Sequence, residues 1–145
     1  MQLAANWSAW SPRLLSILRI IAGVLFFEHG ISKLFGFPPS AMGEIQVFSL
    51  IGLSAILESV GGFLLLIGLF TRPVAFILSG EMAFAYFMAH APKGFFPANN
   101  GGDAAILFCF LFLYLSSAGP GAWSLDSLRG EAHSRNGMRA GTFAR

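Results

Sequence analysis

The chain has 145 residues, enough for one domain, with 55% apolar and only 11% charged residues and a formal net charge of +2. A soluble domain carries roughly a quarter charged residues, so the polar side chains here are too few to cover a water-facing surface, and lipid must be the solvent around most of it. Nucleic acid is excluded as the target of the basic excess: four of the nine basic residues, Arg129, Arg135, Arg139 and Arg145, fall in the last 17 positions with only Phe143 interleaved, which suits a membrane surface or a topology signal.

In chain order, residues 1–12 (MQLAANWSAWSP) lack a basic start and a small-residue cleavage site, so no signal peptide is expected, and Trp7 and Trp10 read as interfacial anchors. Pro12 suits a first helical turn, and residues 13–35 form a first span that stops at Gly36-Phe37-Pro38-Pro39. A second helix is expected over 47–70, ending in a tight turn at Thr71-Arg72-Pro73, because Pro73 disfavours helix at Arg72. The third, 74–89, is short for a hydrocarbon core of about 30 Å and is closed by Pro92. Lys93 to Gly102 is too rich in Gly, Pro and Asn for regular structure, and Asp103 is a natural N-cap for a fourth helix over 103–117. No charge interrupts the stretch between Asp103 and Asp126, which Gly119-Pro120-Gly121 ends, with Trp123 at headgroup depth. Cys109 is the single cysteine, so no intrachain disulfide can form.

The fold class that follows is all-α: an integral membrane four-helix bundle over residues 1–126, with a basic, disordered tail over 127–145. Four spans put Arg13, Arg72, Arg129, Arg135, Arg139 and Arg145 on one side and leave Lys33 and Lys93 near the other. By the positive-inside rule the first side is cytoplasmic and holds both termini, while Lys33, Glu44, His90, Lys93, Asn99 and Asn100 belong to the outer side.

Five ionisable residues fall inside the apolar stretches: Arg19, Glu28 and His29 in the first helix, Glu58 in the second and Glu81 in the third. A charge near the bilayer centre costs about 2.5–3.5 kcal/mol on insertion scales, so these groups are expected to face the bundle interior, paired or protonated. Helix rise puts Glu28 about 22 Å from the start of its helix, Glu58 about 14 Å and Glu81 about 12 Å into theirs, which points to one polar pocket opening outward. His29 and Lys33, four apart, share a helix face; Glu28 points nearly opposite Arg19 and needs a partner from another helix or a proton. Arg19 itself can snorkel to the headgroups. Gly30, Gly61, Gly62 and Gly80 would let backbones approach closely around the acids. Structural salt bridges that only fix packing are the competing reading of the same residues, and Tyr86 reads as a packing or interfacial residue. No metal site is indicated, since there is no Glu-x-x-His pair, and a haem held between His29 and His90 is poorly supported because nothing sets the two at one depth.

The segments Arg19 to Gly36 (RIIAGVLFFEHGISKLFG), Glu58 to Pro73 (ESVGGFLLLIGLFTRP), Glu81 to Gly102 (EMAFAYFMAHAPKGFFPANNGG) and Gly119 to Asp126 (GPGAWSLD) resemble, in their order and spacing, the DoxX family of small bacterial and archaeal membrane proteins. The resemblance covers the first helix through Asp126. It implies a multi-pass inner-membrane protein whose family is named after a component of a quinone-linked oxidase or thiosulfate-oxidising system, with relatives assigned provisionally as oxidoreductases. Family-like positions are Glu28, His29, Gly30, Lys33, Glu58, Gly61, Gly62, Arg72, Glu81, His90, Lys93, Asn99, Asn100 and Gly101; Asp103 stands where a Glu often follows the Gly pair.

Together these features lead to the expectation of an accessory component of a membrane redox system that takes a quinone or similar ring compound in an apolar slot formed by Phe26, Phe27, Phe63 and Phe84. Glu28, Glu58 and Glu81 would handle protons as the catalytic groups. His29 would hydrogen-bond a ligand carbonyl, and Lys33, Arg72, His90, Lys93, Asn99 and Asn100 would complete the binding set. The chain encodes no electron carrier, so a protein partner of a redox complex, or a homo-oligomer, is expected. Two other classes fit the same acids: a scaffold subunit that recruits soluble enzymes, and a small-solute or ion pathway in an oligomer.

Overall fold

The computed structural model describes residues 2–39 and 45–131, with side chains from Ser8 onward. Glu44, Arg135, Arg139, Phe143, Arg145 and the side chain of Trp7 lie outside the described residues. All regular structure among the described residues is helical: α1 (Gln2–Phe35), α2 (Leu50–Ile67), α3 (Thr71–Ala85), a π turn (Tyr86–His90) running into a 3-10 turn (Ala91–Lys93), the short α4 (Pro97–Asn100) and α5 (Asp103–Ala118). Three continuous helical stretches are long and apolar enough to cross a membrane: Ser8–Phe35, Leu50–Ile67 and Thr71–Lys93. With 16 residues, α5 is shorter, about 24 Å at the α-helical rise.

Several boundaries differ from the sequence expectation for identifiable reasons. α1 begins at Gln2, and Pro12 lies inside it rather than opening it. The carbonyl of Pro12 accepts from Ser16 Oγ (2.9 Å) and from the backbone N–H of Ala122 (3.1 Å), so this turn is anchored from outside the helix. α2 starts after Ser49, whose hydroxyl caps the N–H of Gly52 (3.1 Å), and ends at Ile67 because Gly68 turns left-handed (φ 69°, ψ 45°). The chain reverses at Gly68 to Phe70, and Phe70 is also left-handed (φ 52°). Thr71, Arg72 and Pro73 are therefore the first turn of α3, where a proline's missing N–H costs nothing, and not the turn between helices. The third span is long rather than short, since the π and 3-10 turns carry the helical path to Lys93. Gly102, not Asp103, caps α5, and Asp103 adds a negative charge to its first turn, where the helix dipole favours one. Residues 125–131 are helical.

α1 packs mainly on α2 and α3 mainly on α5, with a smaller α2–α3 contact. The first pairing is a close backbone approach. A Cβ on Gly30 would collide with the backbone and hydroxyl of Ser59, and one on Gly62 with the backbone of Phe27, so both positions require glycine. Gly80, expected to play the same part, faces open space. The core joins all four long helices through Ala22, Phe26, Leu65, Ala75, Leu78, Met82, Phe112 and Leu115, with Phe26 meeting Phe112 edge-on at 4.5 Å. Large apolar side chains such as Ile21, Val60, Phe76 and Phe110 point outward, while Ser16, Arg19, Glu58, Ser59 and Ser79 are buried, the polarity of a protein solvated by lipid.

One end of the molecule is tied together by polar side chains on helix termini. Arg19, expected to snorkel to the surface, is instead fully buried. It donates through Nε to the Pro120 carbonyl (2.8 Å), through Nη1 to the carbonyls of Leu65 and Leu66, and through Nη2 to that of Trp123. A planar five-donor cation can satisfy free carbonyls at the C-terminus of α2 and in the segment after α5 at once, which a mobile surface arginine could not. The Asp126 carboxylate accepts from the N–H groups of Phe70 (2.9 Å) and Thr71 (2.8 Å) and so caps α3 from 55 positions away. Arg72 reaches the carbonyls of Ser116 and Ser117 at the end of α5.

Candidate functional site

At the opposite end, the last turns of α1, the first half of α2, the second half of the third span and the start of α5 enclose a cavity of about 450 Å³. Because α1 and α3 arrive there at their C-termini and α2 and α5 at their N-termini, residues distant in sequence share one depth. Phe26, Met82, Phe84, Met88 and Phe108 supply apolar wall, and His29, Lys33, Ser54, Glu58, Glu81 and His90 supply polar groups.

Lys33 crosses from α1 to Glu58 on α2, with Nζ to Oε1 at 2.6 Å and side chains only 13% and 5% exposed. Ser54, one turn before Glu58, donates to the same Oε1 (3.3 Å) and accepts from Lys33 Nζ (3.3 Å). The other oxygen, Glu58 Oε2, and both oxygens of Glu81 are buried without a hydrogen-bond partner in the protein. Ser54 stands beside Glu81 as a hydrogen-bonding side chain, and Glu58 and Lys33 act on Glu81 through their charges. The site therefore holds two carboxyl groups against one lysine, and that lysine is already committed to Glu58.

Both histidines are oriented by main-chain carbonyls. His29 Nδ1 lies 2.7 Å from the Leu25 carbonyl and His90 Nδ1 3.1 Å from that of Asn100. A carbonyl oxygen can only accept, so Nδ1 carries the proton in each ring and Nε2 is left as the lone-pair nitrogen of the neutral form. The donor that His29 was expected to offer a ligand is spent on its own helix. His90 sits in the π turn, stacked on Tyr86 (centroids 6.4 Å apart, 20° between planes). π turns recur at functional sites because they re-aim a side chain without ending the helix.

Of the polar and charged candidates named from sequence, the fold brings His29, Lys33, Glu58, Glu81 and His90 to this cavity and leaves five elsewhere. Glu28 is exposed on the face of α1 turned away from the other helices, although it was expected to face inward. Lys93 and Asn99 are exposed on the loop. Arg72 lies at the far end of α3, where it caps α5. Asn100 is buried and structural: its amide donates to the Gly94 carbonyl (2.8 Å) and accepts from the Gly102 N–H (2.8 Å), holding the loop that carries the carbonyl for His90. Phe27 and Phe63 face each other (centroids 6.1 Å) rather than the cavity. Ser54, Met88 and Phe108 were not foreseen; the four-residue step from Ser54 to Glu58 was the one available signal. Among the described residues no three His, Cys, Asp or Glu side chains converge in a way that could hold a metal ion.

Residues 14–91, which carry all five of the cavity's ionisable groups, match the DoxX family. The chain belongs to the DoxX family. It is a multi-pass membrane protein, similar along most of its length to an uncharacterised protein of Haemophilus influenzae (44% identical over 127 residues, 84% of this chain and 95% of that one). It also resembles the inner membrane protein YphA of Escherichia coli (28% identical, 83% of this chain and 94% of YphA). CatD of Bacillus subtilis, which bears the provisional name of an oxidoreductase, is 40% identical over 70 residues, 43% of this chain and 49% of CatD. No solved structure matches the chain.

Proposed function

We propose that this DoxX protein is an inner-membrane redox component that takes a quinone-type ring compound into the cavity between its helices, with Glu81 and Glu58 as the proton-handling groups. The observation that carries the reading is one compartment of about 450 Å³ in which aromatic walls meet a buried carboxyl group that has no partner in the protein. Pockets of this size suit ring compounds, and a carboxyl group left unpartnered in a low-dielectric setting is costly unless it serves a ligand or a proton. When bound, such a ring supplies chemistry that couples electrons to protons at its two oxygens. Glu81 is the group free to hold or release a proton at a ring oxygen, Lys33 faces Glu58 with the compensating charge, and the Phe and Met walls exclude water. Electrons leave to a partner redox protein, because a single cysteine cannot cycle as a dithiol. The oxidoreductase name of CatD is in keeping with this role.

The same reading takes the molecule as a four-helix bundle of four spans over residues 1–126, α5 being the fourth, with both termini and the basic tail of residues 127–145 on the cytoplasmic side. In support, Pro12 and Ser16 near the start of the first span bond Ala122 and Trp123 just after α5, which is the geometry of an even number of crossings. Arg72 and Arg129 lie at that end and Lys33 and Lys93 at the other. The name of YphA supports the inner membrane as the location.

The test is purification of the full chain in mild detergent, with mass spectrometry of its lipid extract and absorption spectroscopy. The wild type is expected to retain a quinone-type ring compound, in its reduced or oxidised form, that Glu58→Gln loses while still eluting as folded protein. A wild type that is colourless and free of ring compounds would overturn the proposal.

A further inference from the structure

The hydrogen-bonding capacity of the cavity is one-sided. Glu58 Oε2 and both oxygens of Glu81 are acceptors without donors. Nε2 of His29 and of His90 are acceptors as well, because each Nδ1–H is spent on a carbonyl. Against them stands one spare donor, the third N–H of Lys33, whose other two go to Glu58 and Ser54. Ser54 has a single hydrogen, which faces Glu58 (3.3 Å) and for which Glu81 competes, so it serves one of the two carboxyl groups at a time. A proton on Glu81 would add one donor and still leave acceptors in the majority.

We infer that the cavity selects the reduced, dihydroxy form of a ring compound over the oxidised dicarbonyl form, with the hydroxyl hydrogens donated to Glu81 and to a histidine Nε2. This rests on the reading of the cavity as a ring-compound site. A dicarbonyl ring brings only acceptors and sets oxygen against oxygen at Glu81 and Glu58, whereas a dihydroxy ring of the same shape supplies the two donors that the wall lacks. Burying a polar group opposite one of its own kind forfeits its hydration without replacement, so discrimination follows from what is left unpaired as much as from what is bonded. An organic ammonium could also answer a surplus of acceptors, but it carries only as many donors as it has N–H bonds, and a quaternary one has none.

The experiment is anaerobic titration of the full chain in detergent with four probes: tetramethylhydroquinone, tetramethylbenzoquinone, the dimethyl ether of the hydroquinone, and benzyltrimethylammonium. The hydroquinone is expected to bind at least about tenfold more tightly than the quinone and the ether, the scale of one charged-acceptor hydrogen bond. In Glu81→Gln, which trades one acceptor for a donor, the preference is expected to fall to about threefold or less. The comparison of probes on the wild type stands even where that variant does not fold. Quinone binding as tight as hydroquinone binding would overturn this inference and leave the ring-compound function standing. Failure of every neutral ring to bind, or tighter binding of the quaternary ammonium, would overturn both. A preference that persists in a folded Glu81→Gln would remove Glu81 from the donor-accepting role.

Discussion

At the scale of single residues, the pair Lys33–Glu58 decides how the buried charge is tolerated. Each side chain is nearly enclosed, and the 2.6 Å contact with Ser54 alongside is what offsets their desolvation. Lys33→Met would strand Glu58 without its cation and is expected to destabilise the protein by about 3–5 kcal/mol, as would Glu58→Met for the stranded lysine. The double variant should recover most of that loss while removing the lone cation from the cavity. Thermal unfolding of the three variants in one detergent checks the cycle; additive losses in the double variant would show that the two groups act independently. The sequence made the ionisable residues conspicuous, because a charge in an apolar run is costly and needs a partner or a proton. It did not tell their directions. Glu28 and His29 are neighbours in the chain, yet one projects outward and the other lines the cavity, a difference set by which face of α1 the glycines press against α2. Arg19 was misread for a related reason: its partners are main-chain carbonyls supplied by the fold, and these leave no signature in side-chain composition.

At the scale of elements, the α1–α2 pairing depends on residues with no side chain. Gly30→Ala should force the two helices apart where Ser59 stands and cost about 1–3 kcal/mol, as overpacking does. Gly80→Ala on α3 meets nothing and should leave stability unchanged or raise it by up to about 1 kcal/mol by restricting the unfolded chain. Melting curves of the two variants separate close approach from generic helix propensity; equal shifts would contradict the packing described here. The helices themselves were legible as apolar runs between Pro and Gly clusters. Their ends were less so, because several are set from a distance. α3 starts at Thr71 under a cap supplied by Asp126, and its path continues to Lys93 through a π turn that no local motif announces.

At the scale of the whole molecule, the two ends carry different duties: one is a lattice of cation-to-carbonyl and carboxylate-to-amide contacts, the other holds the cavity. Reporter tags on the N- and C-terminal ends are expected to be reached by a reagent confined to the cytoplasm and shielded from one confined outside; tags found on opposite faces would break the four-span arrangement. The medium was readable from composition, and the all-helical class from the long apolar runs. A polar pocket was expected from the depths of the acids, but its lining was not, because that depends on antiparallel neighbours bringing Lys33, Glu58, Glu81 and His90 level with Ser54, Met88 and Phe108. The buried Arg19 also carries a consequence for biosynthesis. It leaves the ribosome about a hundred residues before the Pro120 and Trp123 carbonyls that complete its coordination. A nascent chain stalled short of that point holds a guanidinium among lipid tails with half its acceptors still to be made, so the segment after α5 is what seals α1 in place.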